Sequence, residues 1–492
     1  MENGMPSQTF TSEDYRPQYE GVFSNNKSSD FLLKVLFILA LFLVLLFFTA
    51  WYITRKNVRF PMATVCRVTP TSLLLGEFLR QFTEPFVLVE FNKRRDWLFV
   101  VSQADVVYSS AFTSKLIYAR PHLAFDDWKA TTVYSLNYEE LRVVGLLSRF
   151  AVDDLLHSHA LLGNCVDEAL ACLGDRLRGD GDGDGNNADS KVSADNASAF
   201  IDESVVSGIV RAYLLDAVFG GSDLCDDLQP QLDSILDKYM AFFRSAHLLN
   251  PNCDGNRMHR LQEDLHGEIR DFLDHFMSDT HNNLVDRSVP SFVERFIKEK
   301  MSFDQCGITD TDFVTANHMV QEALDFACLS LAIVPDLVHA CLVRVAAAPD
   351  QFFAAVSVAD NDSVEAALEE IIRIEDIGSD TAVFLSTAEL VCAGCLLPMG
   401  SCVAVNLHAV NRDPLVFQSA GELHWDRFAQ QPEGGGISGS PLQAVHAKSP
   451  FYRFALALAS ALVQGVLLRY RLSPGKQPGS FAYTARREVP EE

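Results

Sequence analysis

Basic residues are scarce in this chain. Its 492 residues include 40 Lys and Arg against 65 Asp and Glu, which gives a formal net charge of −25. A polyanion of this size is repelled by phosphate backbones, so we expect no nucleic-acid partner. The hydrophobic share of the chain, 48%, is ample for a packed core.

Charge is also missing from one long stretch near the N-terminus. Residues 35–53 read VLFILALFLVLLFFTAWYI, carry no charge and end with Trp51 and Tyr52. This length is typical of a transmembrane helix, and such aromatic residues sit well at a headgroup interface. A cleaved signal peptide would have a shorter apolar run and a small-residue cleavage site. We therefore predict a transmembrane anchor over residues 31–54.

The residues that flank this anchor indicate its orientation. A polar, acidic tail over 1–30 precedes it, and a basic linker over 55–61 follows it. Positive charge next to an anchor favours the cytosolic side. We expect a single-pass membrane protein, with the endoplasmic reticulum as its membrane and the large domain, residues 62–492, in the cytosol. Structural disulfides are not expected there, although the chain has eleven cysteines.

The spacing of apolar residues predicts a mainly α domain with a small β part. Two apolar runs, at 85–91 and 97–102, are joined by the polar turn NKRRD and predict a β-hairpin. Helical spacing dominates the middle of the chain, and a long helix containing Pro335 is predicted over residues 311–348. A stretch rich in Gly and Asp, residues 178–200, predicts a flexible insertion.

Two further helices are predicted from their local sequence. Ser102 and Asp105 have the spacing of a capping box, which predicts a helix that begins there and continues to Arg120. Near the C-terminus, the run FALALASALVQGVLLRY over 454–470 is apolar on all sides. A helix of this composition is buried nearly all round, so it needs a large domain about it.

Polar motifs in the C-terminal third occur in a recognisable order. Glu370 and Arg373 form E-x-x-R on one helix face, LPMGSCVAVNLHAVNRDP follows at 397–414, and HWDRF lies at 424–428. Together with the anchor and the early hairpin, they resemble the cytochrome P-450 superfamily of haem-thiolate monooxygenases. The resemblance covers most of residues 62–492. It implies that family's mainly α fold with a small β part behind one N-terminal transmembrane helix.

The resemblance implies a buried ion network. In the family the E-x-x-R pair joins an arginine of the later meander, which corresponds to Arg427 here. Alone on a helix surface, Glu370 and Arg373 would contribute a few tenths of a kcal/mol, and Glu369 would compete for the same arginine. In a buried network every charge must be paired, so each member becomes essential.

The resemblance also implies haem, but the expected iron ligand is missing. The family supplies a cysteine thiolate where its last long helix begins, and no cysteine follows Cys402 in this chain. An ungapped match sets Ser449 at the ligand position. A serine hydroxyl stays protonated near neutral pH and cannot replace a thiolate. His446 could instead supply an imidazole; the alternative is an ordinary loop histidine.

Other family features are also absent. The same match puts Leu442 where the family has an aromatic residue and Phe451 where it has the glycine after the cysteine. The acid and alcohol that deliver protons on the distal helix correspond to Ala332 and Ile333, neither of which can move a proton. Pro335 interrupts the register, so the alternative is a match shifted by a turn toward Ser330 and Asp336. Arg142 is the candidate to grip a haem propionate; the alternative is a solvated helix arginine.

A zinc site is a separate hypothesis for four residues in the same region. Cys392 and Cys395 form C-x-x-C, and Cys402 and His408 follow. Such residues can ligate zinc. The alternative is that the thiols are ordinary small buried side chains.

These observations lead to two hypotheses of function. The first is a degenerate, membrane-anchored member of the superfamily that binds a lipid-like molecule or a membrane partner without catalysis. The second is an active haem enzyme with unusual ligation. It would be either a monooxygenase-like oxidoreductase that uses a membrane redox partner or an isomerase-like enzyme that needs no external electrons.

Overall fold

The structure is a computed structural model, and it divides the chain into two units, Met1–Pro61 and Met62–Glu492. It describes residues 34–49, 64–67, 75–90, 97–118, 138–157, 163, 166–167, 171, 199–201, 203–220, 228–243, 267–268, 271–272, 290–307, 311–392, 394–429, 439–447, 449–475 and 479–485. The predicted tail over 1–30 and the basic linker over 55–61 lie outside these ranges.

The described part of the first unit is one apolar helix, α1, at Lys34–Thr49. Its apolar side chains are all exposed. At 1.5 Å per residue, α1 is about 24 Å long, shorter than a hydrocarbon core of about 30 Å. The rest of the predicted anchor, residues 31–33 and 50–54, lies outside the described residues.

In the described part of the chain, two helices are long and apolar enough to cross a membrane. These segments, His318–Ala347 and Pro450–Arg469, belong to the second unit, and most of each is buried inside it. Burial by the protein's own side chains is the usual state of a core helix. Their composition is therefore weak support for membrane association.

The described residues of the second unit form a mainly α domain with a small β part, as predicted. Its helices are α2 (Leu75–Leu79), α3 (Ala104–Val107), α4 (Ser110–Thr113), α5 (Tyr138–His157), α6 (Glu203–Phe219), α7 (Leu228–Phe243), α8 (Phe292–Cys306), α9 (Ala316–Ala347), α10 (Pro349–Ala355), α11 (Asn361–Glu375), α12 (Leu407–Asn411), α13 (Pro441–His446) and α14 (Pro450–Arg469).

The strands form a larger sheet and two small ones. They are β1 (Thr64–Arg67), β2 (Phe86–Glu90), β3 (Trp97–Val101), β4 (Leu116–Tyr118), β5 (Ala199–Ile201), β6 (Val383–Ser386), β7 (Leu390–Cys392), β8 (Cys395–Leu397), β9 (Cys402–Val405), β10 (Tyr470–Pro474) and β11 (Phe481–Ala485). Among these, the order β1-β2-β3-β9-β6-β4 makes one sheet, β10-β11-β5 a second and β7-β8 a third.

The larger sheet joins the two ends of the domain. The predicted hairpin is confirmed, because β2 and β3 pair antiparallel from Phe86 with Val101 to Glu90 with Trp97. Strand β9 then pairs parallel with β3. A parallel partner requires a long crossover connection, and here that crossover contains most of the helices. The sheet thus brings the segment after α11 next to the N-terminal part of the domain.

The predicted long helix over 311–348 corresponds to α9, which begins five residues later and includes Pro335. The helix predicted from Ser102 to Arg120 is wrong. Ser102 does not cap it: the side-chain amide of Asn406 lies 3.4 Å from the Ser102 hydroxyl. The chain instead forms α3, α4 and then β4, because β4 pairs with β6. A distant strand here overrides the local helical signal.

The end of the predicted flexible insertion is also ordered. Residues 199 and 200 belong to β5, because β5 pairs antiparallel with β11 near the C-terminus. The rest of the predicted insertion, 178–198, lies outside the described residues. A partner strand nearly 300 residues away could not be inferred from the local composition.

Helices α9 and α14 meet through four phenylalanine rings that we call the aromatic cluster, namely Phe292, Phe326, Phe451 and Phe454. Phe326 of α9 stacks on Phe451 of α14 with ring centres 4.9 Å apart and planes 13° apart. It meets Phe454 edge-on at 4.8 Å and Phe292 of α8 at 5.0 Å. All four rings are buried. Both arrangements are favourable for aromatic pairs, so the cluster joins three helices at the core.

We expect Phe451→Ala to lower the free energy of unfolding by about 3–5 kcal/mol, because it leaves a cavity between α9 and α14. Urea unfolding followed by circular dichroism measures this loss. Phe353→Ala on α10 is the matched control. Its ring is 43% exposed, so a much smaller loss is expected. Equal losses in the two variants would contradict the role assigned to the cluster.

Candidate functional site

Glu370 of α11 lies at the centre of a buried ion network. Its carboxylate oxygens accept from Arg373 Nε and Nη2, both at 2.8 Å. Nε of Arg427 lies 3.0 Å from each of the same oxygens, and the His424 backbone N–H donates to Oε1 at 3.1 Å. The side chains of Glu370 and Arg373 are fully buried. One carboxylate therefore neutralises part of the charge of two guanidinium groups.

Arg373 also ties α11 to the chain that follows α12. Its Nη1 donates to the carbonyls of Asn411 at 2.8 Å and Ala420 at 2.7 Å, and its Nη2 to that of Glu422 at 3.2 Å. The guanidinium lies 5.1 Å from the centre of the Phe417 ring. The Asn411 carbonyl is at the C-terminus of α12, and those of Ala420 and Glu422 belong to the irregular segment that follows. Because no further helix or strand satisfies these carbonyls, the arginine replaces backbone pairing there.

A second polar cluster surrounds Asp376, which the motif analysis did not single out. Its carboxylate accepts from Asn411 Nδ2 at 2.9 Å and Arg412 Nη1 at 2.6 Å, and it lies 2.7 Å from Nδ1 of His408. Burial opposes ionisation, but these hydrogen bonds outweigh it and hold the pKa of Asp376 below its usual value. Asp376 ends α11 with a positive φ of 55°. The N-R-D-P motif thus serves to hold the C-terminus of α11.

Glu369 faces away from the ion network, so the expected competition for Arg373 is wrong. Adjacent residues of a helix point about 100° apart. One Glu369 oxygen accepts from the Ser440 backbone N–H at 3.1 Å and the other from the Tyr452 hydroxyl at 2.8 Å. Burial raises the pKa of Glu369 to about 7, although both hydrogen bonds favour the ionised form. Glu369 therefore holds the start of α13 and the start of α14 against α11.

Ser449, the residue at the predicted iron-ligand position, immediately precedes α14. It is the N-cap residue, and Pro450 opens the helix. Its backbone N–H donates to the His446 carbonyl at 2.7 Å. Ser449 therefore lies directly before the last long helix, and its side chain is an alcohol.

His446 is the last residue of α13 and is buried, so the interpretation as a loop histidine is wrong. Its Nε2 lies 3.1 Å from the Thr381 hydroxyl. One ring face stacks on Tyr452 at 5.7 Å with planes 9° apart, and Phe384 meets it edge-on at 5.2 Å. Burial lowers the pKa of His446 to about 3, so the imidazole is neutral at physiological pH. The ring is thus packed on two sides and hydrogen-bonded through Nε2.

Side chains from α9 and α13 also meet beside Gly378, which follows α11 in the chain. A Cβ atom placed on Gly378, whose φ is +73°, would lie 2.7 Å from Cδ2 of Leu442 and 3.3 Å from Cγ1 of Ile333. Ala332 and Ile333, the predicted distal positions, are buried and apolar. Phe451 of α14 stacks on Phe326 of α9, so further contacts between the two helices are made by protein side chains.

Two buried acidic side chains of α9 lie two to three turns before Ala332, and a third acid, Asp336, lies one turn after it. The Ser148 hydroxyl donates to Glu322 at 2.6 Å, and the Tyr239 hydroxyl donates to Asp325. Both carboxylates are buried. Sequence reasoning missed this network because its hydroxyl partners come from α5 and α7, far away in the chain. Polar residues in an otherwise apolar helix were the available signal.

The remaining predicted site residues do not form a common site. Arg142 is exposed on α5. Cys392 and Cys395 face each other across the β7-β8 hairpin, and Cys402 lies in β9. Burial raises the pKa of Cys392 to about 12 and also raises that of Cys402.

The zinc hypothesis for these cysteines finds no geometric support. His408 contacts the Asp376 carboxylate. It follows β9 in the sequence, whereas the cysteine hairpin precedes β9. Among the residues that the structure describes, no group of three or more His, Cys, Asp or Glu side chains could hold a metal ion.

No protein-family model matches this chain, and no curated protein matches it. The residues and geometry described above are therefore the basis on which a function is proposed.

We expect Glu370→Gln to lower the free energy of unfolding by about 3–5 kcal/mol, because two guanidinium groups lose their shared counter-charge. Thermal or urea unfolding at neutral pH measures the loss. Glu422→Gln, at a side chain that is 72% exposed, is the control and should change stability by less than about 0.5 kcal/mol. A small effect at Glu370 would contradict a buried network.

At the neighbouring residue, we expect Glu369→Gln to raise the free energy of unfolding instead of lowering it. The pKa of Glu369 rises from 4.5 to about 7 on folding, so the folded state holds this proton more tightly. Wild-type stability should therefore fall as pH rises from about 4.5 through about 7. Glu369→Gln does not titrate and keeps one acceptor and one donor. We expect it to be more stable by roughly 2–3 kcal/mol near pH 8 and nearly equal near pH 4. Urea midpoints across this pH range test the sign.

Proposed function

We propose that this protein is a membrane-anchored relative of the cytochrome P-450 superfamily that works without haem and binds a lipid-like molecule. The observation that carries the proposal is a contrast within one region. Each charge of the buried network of Glu370, Arg373 and Arg427 is paired, whereas the turn that would carry the iron ligand has Ser449, and Phe451 beside it stacks on Phe326.

The ion network supports the proposed family fold. E-x-x-R, the N-R-D-P element and the meander arginine occur in the family's order, and here they meet in space through Glu370 and Arg373. A protein under selection for its fold alone would keep this network, since loss of one partner leaves a buried charge. A protein that needed iron chemistry would also keep a ligand.

Three separate features support the loss of haem. Ser449 cannot act as a soft, anionic ligand. His446 would have to leave Thr381 and its aromatic neighbours before it could bind iron. Ala332 and Ile333 offer no group for proton delivery. All three features argue against the second candidate function, an active haem enzyme with imidazole ligation.

The membrane part of the proposal comes from α1. Its apolar side chains are exposed on every side, and no charged residue interrupts the sequence from 35 to 53. A helix of this kind needs lipid around it. Hydrophobic molecules concentrate in such an environment, which favours a lipid-like ligand over a polar one.

The test is haem reconstitution of the purified full-length protein, read by the Soret band and by the spectrum of the reduced, carbon-monoxide-bound form. We expect no specific Soret band in the wild type. We expect Ser449→Cys to remain haem-free as well, because the Phe451 and Phe326 rings still occupy the space. The double variant Ser449→Cys with Phe451→Gly removes that ring and serves as the comparison.

A thiolate-type spectrum from the wild type would overturn the proposal. An imidazole-type spectrum that disappears in His446→Ala would support the alternative, an active haem enzyme. Stoichiometric haem in Ser449→Cys alone would show that the aromatic cluster does not close the site. Lipid extraction of the purified protein, followed by mass spectrometry, tests the ligand separately from the haem question.

A further inference from the structure

Two cysteine thiols face each other inside the β7-β8 hairpin. Cys392 ends β7, Cys395 begins β8, and the two are direct partners in the antiparallel ladder. Their side chains lie on the inner face of the hairpin and are 1% and 0% exposed. Neither forms a disulfide in the structure. The pair is therefore a dithiol enclosed by the protein.

The short turn between the two cysteines fixes their register. Only Ala393 and Gly394 separate Cys392 from Cys395. Gly394 has a φ of 76°, a conformation that two-residue hairpin turns require and that glycine adopts without strain. Because the length of a hairpin turn sets the register of its strands, the two cysteines stay opposite each other.

The backbone geometry at this pair suits a disulfide. Directly opposite residues of an antiparallel ladder have Cα atoms about 4.5–5.5 Å apart, and disulfides join residues whose Cα atoms are about 4.4–6.8 Å apart. The two Cβ atoms would have to approach by only about 1 Å. Burial raises the pKa of Cys392 to about 12, and the neighbouring Cys395 thiol raises it further, which requires the two sulfur atoms to lie close together.

We propose that Cys392 and Cys395 form a reversible disulfide by exchange with an oxidised low-molecular-weight thiol of the glutathione class. One cysteine thiolate attacks the small disulfide, forms a mixed disulfide with one half of it and releases the other half as a reduced thiol. The second cysteine then attacks the protein sulfur of the mixed disulfide, and the second small thiol leaves. Two electrons pass from the cysteine pair to the small disulfide, and the two cysteine protons end on the two released thiols.

Local opening of the hairpin gives the thiols access to the oxidant. In the closed hairpin both sulfur atoms are shielded from solutes. Each strand has only three residues, and the outer pair, Val391 and Leu396, is 73% and 47% exposed, so opening breaks few contacts. In water a cysteine has an ordinary thiol pKa of about 8.5 and reacts readily. Once formed, the disulfide joins the strands at the turn and prevents further opening.

Thiol trapping in the full-length protein tests the proposal. The protein is equilibrated with oxidised or reduced glutathione, quenched with acid, alkylated and digested with trypsin. One tryptic peptide, 374–412, contains Cys392, Cys395 and Cys402, and its fragmentation in the mass spectrometer locates any disulfide. Cys402 is the matched control within the same peptide, because it is buried in β9 and burial alone raises its pKa.

With oxidised glutathione we expect a disulfide between Cys392 and Cys395 and an alkylated Cys402, and reduced glutathione should restore all three thiols. Amide hydrogen exchange of the hairpin should slow at least about tenfold in the oxidised protein, because the joined strands no longer open. Cys395→Ser should instead keep glutathione on Cys392, since no second thiol displaces it. Cys402→Ala should behave as the wild type.

Four outcomes would overturn the proposal. Alkylation of all three cysteines after prolonged oxidation would mean that the hairpin does not expose its thiols. Stable glutathione on Cys392 or Cys395 of the wild type would mean that the pair cannot close. A disulfide that includes Cys402 or a second copy of the chain would mean that the exchange is unselective. A disulfide without slower hydrogen exchange would mean that it does not hold the hairpin closed.

Discussion

The arrangement of the C-terminal half of the domain depends on one buried carboxylate, that of Glu370. Glu370 is fully buried and accepts from two arginines and one backbone amide, while Arg373 donates to the last carbonyl of α12 and to two carbonyls of the segment after it. Desolvating three charged groups is costly, and only complete pairing offsets that cost. The irregular segment 413–429 therefore has a defined course without strands or long helices of its own.

Around this network, three acidic residues of α11 have different roles because of their orientation. Glu370 binds arginines, Asp376 closes the helix by binding the N-R-D-P motif, and Glu369 binds Ser440 and Tyr452. Glu369 accepts from two neutral donors, and burial raises its pKa. The helix thus holds the following loop on one side and the start of α14 on another.

The region before α14 is held together by contacts among protein side chains. Glu369, Tyr452, Thr381 and His446 connect α11, α13 and α14 by contacts among protein side chains. The aromatic cluster does the same between α9 and α14. Such contacts stabilise the core where α9, α11, α13 and α14 meet.

Patterns that depend on neighbours in sequence were predictable from the chain alone. The β2-β3 hairpin, α9 and α11 follow from spacing of apolar residues, and the Glu370 and Arg373 pair follows from three-residue spacing on one helix face. The place of Ser449 before α14 required only a comparison of motif order. The pairing of Arg427 with Glu370 was expected from resemblance, since 57 residues separate them and local rules do not connect them.

The sequence by itself therefore determined the apolar pattern, the acidic charge, the absence of a cysteine after Cys402 and the location of the polar motifs. The tertiary structure alone decided which acid of α11 faces which partner, that β4 and β5 are strands, that His446 is a core residue and that Phe451 meets Phe326. Each of these depends on groups brought from distant parts of the chain. Burial and hydrogen bonding are properties of the assembled neighbourhood, and a single sequence does not specify that neighbourhood position by position.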